Sequence, residues 1–168
     1  MPQQIINIGA IANDNTGDTL RGAGQKLNDN FTELYTDISA LNSATAYVPT
    51  LTDSGGGRTF TVTVNTARYT EIGNLRWFTV DLTVTAASGA ASGELRLSLP
   101  ATSTYSGSVE FWADNLASAA KTDIQAYIPT GANYAQLSHY ENGDALQLTP
   151  HVSSTSRLIV TGIFFTAP

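Results

Sequence analysis

The stretch Tyr69-Thr70-Glu71-Ile72-Gly73-Asn74-Leu75-Arg76-Trp77-Phe78-Thr79-Val80-Asp81-Leu82-Thr83-Val84 decides the fold. Residues 69–72 and 75–84 are strand-like runs, and Gly73-Asn74 between them suits the primed two-residue turn that joins antiparallel strands. Upstream, Phe60, Val62 and Val64 alternate with Thr59, Thr61 and Thr63. Downstream, 86–93 is a low-complexity Ala/Ser/Gly run expected to be a flexible loop, and 94–99 alternates cleanly up to Pro100. Further strands are expected at 109–113, 123–128, 135–140, 145–149 and 158–165. Short strands at this density, with no helical period, imply a mainly β fold over residues 47–168: an antiparallel β-sandwich of jelly-roll-like form.

Towards the N-terminus the period changes. From Leu20 the spacing alternates four and three through Gly24, Leu27, Phe31, Leu34, Ile38 and Leu41, a heptad stripe. It predicts an amphipathic helix over 20–42, N-capped by Asp18 or Thr19. A lone helix of this length is marginal in water, so the stripe needs a cover. Two covers are open: the chain's own sandwich, or other copies packed on Leu20, Leu27, Phe31, Leu34, Ile38 and Leu41 in a coiled-coil-like bundle. Residues 1–19 hold one apolar cluster, Ile5, Ile6 and Ile8, and then the turn-rich run Asn13 to Asp18. They are expected to form an extended arm that docks on a partner through those isoleucines. Pro49 puts extended chain after the helix, with a boundary near residue 46.

Composition excludes several classes of function. Fourteen acidic residues against eight basic ones give a net charge of −6, and the basic residues are scattered singly. Phosphate recognition needs clustered Lys and Arg, so no nucleic-acid partner is expected, nor docking on an anionic membrane. With no cysteine, disulfides, thiol catalysis and thiolate metal sites are unavailable. No run of apolar residues is long enough to insert in a membrane, and the start does not read as a secretion signal. The chain is therefore expected to be made in the cytoplasm and to stay soluble.

No catalytic or cofactor constellation emerges. His139 and His151 lack metal-site spacing, no G-x-S-x-G elbow occurs, and no two of the fourteen acids stand out as a hydrolytic pair. Gly55-Gly56-Gly57 lacks the Lys and helix of a phosphate loop and reads as a flexible turn. The chain is expected to bind, not to catalyse, without metal or cofactor. The aromatic residues are more informative. Trp77 adjoins Phe78 and Trp112 adjoins Phe111, so in a strand one of each pair faces out. An exposed aromatic among Asn and Asp suits a saccharide, and Tyr134, Tyr140, Asn142 and Asp144 cluster in that way near a hairpin. Against this, the tryptophans can fill the core and the tyrosines a subunit interface.

The N-terminal residues carry a resemblance. Ile6-Asn7-Ile8-Gly9, then Asn13-Asp14-Asn15-Thr16-Gly17-Asp18-Thr19-Leu20-Arg21, and finally Asn28-Asp29-Asn30-Phe31-Thr32-Glu33-Leu34-Tyr35 resemble the opening segment of tail-fibre, baseplate and other virion structural proteins of tailed bacteriophages. The resemblance implies that residues 1–42 attach a homotrimeric projection to other phage structural proteins in the virion. The distal part is similar, more loosely, to small trimeric head domains of phage fibres and to capsid decoration (cement) proteins. The expected function is a short tail fibre or baseplate-mounted tip that faces a host-surface saccharide, with capsid decoration as the alternative.

Overall fold

The structure, a computed structural model, describes residues 4–10, 15–41, 43–116, 124–141 and 144–168. The chain forms two compact units, Met1–Ser43 and Ala44–Pro168. The first holds helix α1 (Leu20–Leu41). The second holds β1 (Thr45–Ala46), β2 (Leu51–Asp53), β3 (Arg58–Ile72), β4 (Leu75–Gly89), β5 (Leu95–Ser98), β6 (Gly107–Asp114), β7 (Ile124–Ile128), β8 (Tyr134–Glu141), β9 (Asp144–Gln147) and β10 (Arg157–Phe165). A short 3-10 turn, Thr149–His151, precedes β10. The chain is mainly β, as its alternation predicts.

All strand pairs are antiparallel and belong to one hydrogen-bonded sheet of order β1-β3-β4-β10-β6-β7-β8-β5-β2, with β9 on β8. Strands bury alternate residues: Phe78, Val80, Leu82 and Val84 on β4, Leu158, Val160 and Phe164 on β10, Leu95 and Leu97 on β5, Ala135 and Leu137 on β8. These join a single core cluster, so the sheet curls with that face inward. The strands expected to form a sandwich thus belong to one curled sheet. Among the described residues β6 and β7 share the pairs Gly107↔Ile128 and Ser108↔Tyr127. Phe78 and Phe164 meet edge-to-face at 5.9 Å in the core. Gly162 lies opposite Phe78, and a Cβ there would strike the ring.

The Gly73-Asn74 hairpin closes with Ile72 opposite Leu75. Of the two turn residues only Gly73 has positive φ, +60°, the requirement of a II′ turn. Three expectations are corrected here. β3 is one strand of 15 residues, with Asn65 bulged between Val64↔Leu82 and Thr66↔Asp81, so the alternation changes phase in mid-strand. Residues 86–89 are not loop: they extend β4 because Arg58 to Thr61 pair with them, leaving 90–94 as the connection to β5. Nor is Gly55-Gly56-Gly57 loose. Asp53, buried, accepts from the amides of Gly55 and Arg58 at 3.0 Å each and thereby fixes the turn.

Candidate functional site

In the helical unit, Thr19 is the N-cap; its Oγ1 accepts from Gly22 N at 3.1 Å. The arm runs back along the polar side of α1 and is clasped there. Asn30 both donates to Gln4 O and accepts from Gln4 N, each at 2.9 Å. Lys26 Nζ donates to Ile5 O at 3.1 Å and to Asp18 at 2.7 Å. Asp18 in turn accepts from Asn7 N at 2.8 Å, while its own amide donates to Asn7 O at 2.7 Å. The Lys26 ammonium, with the Asn7 amide, holds the Asp18 carboxyl below its ordinary range. The arm expected to dock on a partner is thus also bonded to its own helix. Ile6 is half-buried, while Ile5 and Ile8 are exposed.

Clasping one side leaves the other bare. Leu27, Phe31, Leu34 and Ile38 are 44–51% exposed and Leu20 more so; the side chain of Leu41 lies outside the described residues. These side chains form an apolar row without cover inside the helical unit.

On the β unit the convex face carries the exposed large side chains. Trp77 and Trp112 both point outward, at 56% and 48% exposure, while Phe78 and Phe111 turn to the core. The alternative that the tryptophans fill the core is thereby overturned. The ladder aligns outward residues into rows: Ile72, Leu75 and Phe165; then Thr70, Trp77 and Ile163; then Arg68, Thr79, Thr161 and Glu110; then Thr66, Asp81, Ile159 and Trp112. The first row is apolar, and the second sets Trp77 and Ile163 between Thr70 and Ser108. The last is mixed, and Arg157 clamps Asp81 there through Nε at 3.0 Å and Nη2 at 2.6 Å. The guanidinium lowers the Asp81 carboxyl below its usual range.

The expected saccharide cluster is only partly in view. Tyr134 is half-buried, with the Arg96 guanidinium 4.2 Å from its ring centroid. Tyr140 and Asp144 lie on the β8–β9 hairpin, their side chains outside the described residues, as is all of Asn142. Among the described residues no cluster of His, Asp and Glu could hold a metal, and no helix is long and apolar enough to cross a membrane.

A clasped arm, a capped heptad helix and a curled antiparallel sheet can be compared with known proteins. The model of the family described as "Bacteriophage T4 gp9/10-like protein, N-terminal" matches residues 3–118, from the arm through α1 to the end of β6. The chain belongs to this family. The T4 gp9/10-like match extends well beyond the N-terminal motif and makes the chain a structural protein of tailed-phage virions. Among solved structures, "Crystal structure of Dettilon tailspike protein (gp208)" is similar with a TM-score of 0.61 at 18% identity. The likeness covers 73% of this chain and 23% of that one, and is one of fold. Comparison with the curated proteins gives no match.

Proposed function

We propose that this T4 gp9/10-like protein is a short tail fibre or baseplate-mounted tip, a non-enzymatic homotrimer that attaches to other virion proteins by its N-terminal unit and presents the curled sheet to the host surface. The observation that carries this reading is the division of labour around α1. The arm occupies the polar side through Lys26, Asp29 and Asn30, so the bare stripe of Leu27, Phe31, Leu34 and Ile38 is left for other copies. Ile5 and Ile8 face away from the clasp and offer apolar contacts to a neighbouring virion protein. On the β unit the apolar side chains around Trp77 give copies a second surface to share, and the β8–β9 hairpin with Tyr140, Asn142 and Asp144 offers a host contact, with Tyr134 at the opposite end of β8.

The test is to label the chain with antibody on purified particles and count copies. Label at the tail tip or baseplate, in multiples of three, supports the reading. Label spread over the head at high copy number replaces it with the capsid decoration role.

A further inference from the structure

The convex face of β4, β10 and β6 divides by composition, and its polar end has the parts of a sugar subsite. Trp112 stands on β6 between Glu110 and Asp114, both exposed, and opposite Ile159, which is half-buried and forms a floor. Across β10 lies Asp81, with Arg157 opposite Asp114 in the next row. The Asn65 bulge completes the rim: its Nδ2 donates to Asp81 Oδ1 at 3.0 Å and to Thr83 Oγ1 at 3.1 Å. A carboxylate only accepts, so the Asn65 amide is oriented, with its Oδ1 left over. Oδ1 of Asn65, Nη1 of Arg157 and the carboxylate of Glu110 make no bond among the described residues.

We infer that Trp112, Asn65, Asp81 and Arg157 form a binding subsite for a pyranose unit of a surface polysaccharide. The inference rests on the host-facing reading above, and it moves the contact from the hairpin loops to the sheet. A pyranose has an apolar C–H face and a rim of hydroxyls that each donate and accept. Trp112 offers a flat ring to the first, and the fixed amide, carboxylate and guanidinium offer both kinds of partner to the second. Neighbouring strands lie about 4.8 Å apart, so Asp81 to Trp112 spans about 10 Å, the width of one or two sugar rings. The groups are also preorganised: a bidentate ion pair between central strands β4 and β10 and a doubly bonded amide on the adjoining β3 bulge lose little freedom on binding. A copy-to-copy contact would centre on apolar side chains, and those sit apart, at Ile72, Leu75, Trp77, Ile163 and Phe165.

The sequence has two tryptophans, so Trp77→Phe makes Trp112 the sole reporter. The full-length Trp77→Phe protein is titrated with purified envelope polysaccharide from a strain that the particle adsorbs to, against glucose and N-acetylglucosamine oligomers. The expected result is a saturable change in emission, weakened about tenfold by Asn65→Ala, as for loss of one central contact. In wild-type background, binding read by glycan array is lost with Trp112→Ala and kept with Trp112→Phe, which controls for folding. Absence of binding, binding indifferent to Trp112→Ala, or a Trp112 that acrylamide cannot reach in the intact oligomer overturns the inference. Particles separate this from the functional reading: Trp112→Ala chain incorporated at the tail but adsorbing normally sinks the sugar subsite alone, whereas a chain missing from tails sinks the host-facing role.

Discussion

Asp53 and Ser92 stand 39 residues apart, yet the Ser92 amide and hydroxyl both donate to one carboxylate oxygen of Asp53, at 3.0 and 3.1 Å. That contact ties the β2–β3 turn to the β4–β5 connection, and with Gly55 and Arg58 it gives the buried carboxylate four donors.

Asp53→Ala should destabilise the β unit by about 2–3 kcal/mol, the range for hydrogen bonds to a charged group. Burial raises the Asp53 pKa, but the donors of Ser92, Gly55 and Arg58 outweigh it and leave it lowered. A depressed carboxylate contributes stability that is present above its unfolded value of about 3.9 and is lost as pH falls through the folded value. Thermal melts between neutral pH and acid should therefore fall less steeply below about pH 4 for Asp53→Asn than for wild type. Parallel curves would reject the role.

Phe31→Asp with Leu34→Asp should dissociate the oligomer. Each residue buries a large side chain in the proposed bundle, and truncating such residues costs about 2–5 kcal/mol apiece. Sedimentation or light scattering should show monomer, while the β unit retains its strand signal; an unchanged trimer removes the helix from the interface.

Lys26→Ala takes away both the clasp on Ile5 O and the ion pair with Asp18. Amide exchange at residues 4–9 should accelerate by about fivefold, the scale of one exposed ion pair, with the middle of α1 unaffected. Equal protection in the two proteins would show that Asn30 holds the arm unaided.

Tyr47 is largely buried, its hydroxyl has no partner among the described residues, and burial pushes its pKa upward. An unpaired buried hydroxyl costs about 1–3 kcal/mol, so Tyr47→Phe should raise stability by about 1 kcal/mol in chemical denaturation. The ring keeps its edge-on contact with Tyr69, at 6.0 Å. A loss of stability would mean that the hydroxyl is satisfied in the assembled protein.

The legible parts of this fold are those set by local chemistry. Gly73-Asn74 marks one hairpin because glycine adopts the positive φ of the first turn position at no steric cost, and the four-three spacing from Leu20 to Leu41 runs the length of α1. Strand β3 was broken in the reading because the Asn65 bulge shifts the alternation, moving the core-facing positions from Phe60, Val62 and Val64 to Ala67 and Tyr69. The outward tryptophans carried a signal that was not used. Trp77 shares its face with Thr79 and Asp81, and Trp112 with Glu110 and Asp114, whereas their neighbours share theirs with Val80, Leu82, Val109 and Ala113. Asn65, Asp81 and Arg157 could not be assembled from sequence, since ladder register alone brings residues 76 positions apart within 2.6 Å.

Strand β10 lies between β4 and β6, although it is the tenth strand in chain order. During synthesis β4 and β6 must wait with open edges for the strand that joins them. At about 5–20 residues per second, α1 has emerged on the order of 10 s before β10 is made. The helix can find its sister copies while every β unit is still incomplete. In the proposed trimer three unfinished sheets would then be held side by side, where each β10 would have foreign β4 and β6 edges within reach as well as its own. The long β3–β4 hairpin closes locally but takes only the outer edge of β4, so the edge that β10 fills stays open until the last strand is made, and the order of manufacture leaves that seam as the place where copies can exchange strands.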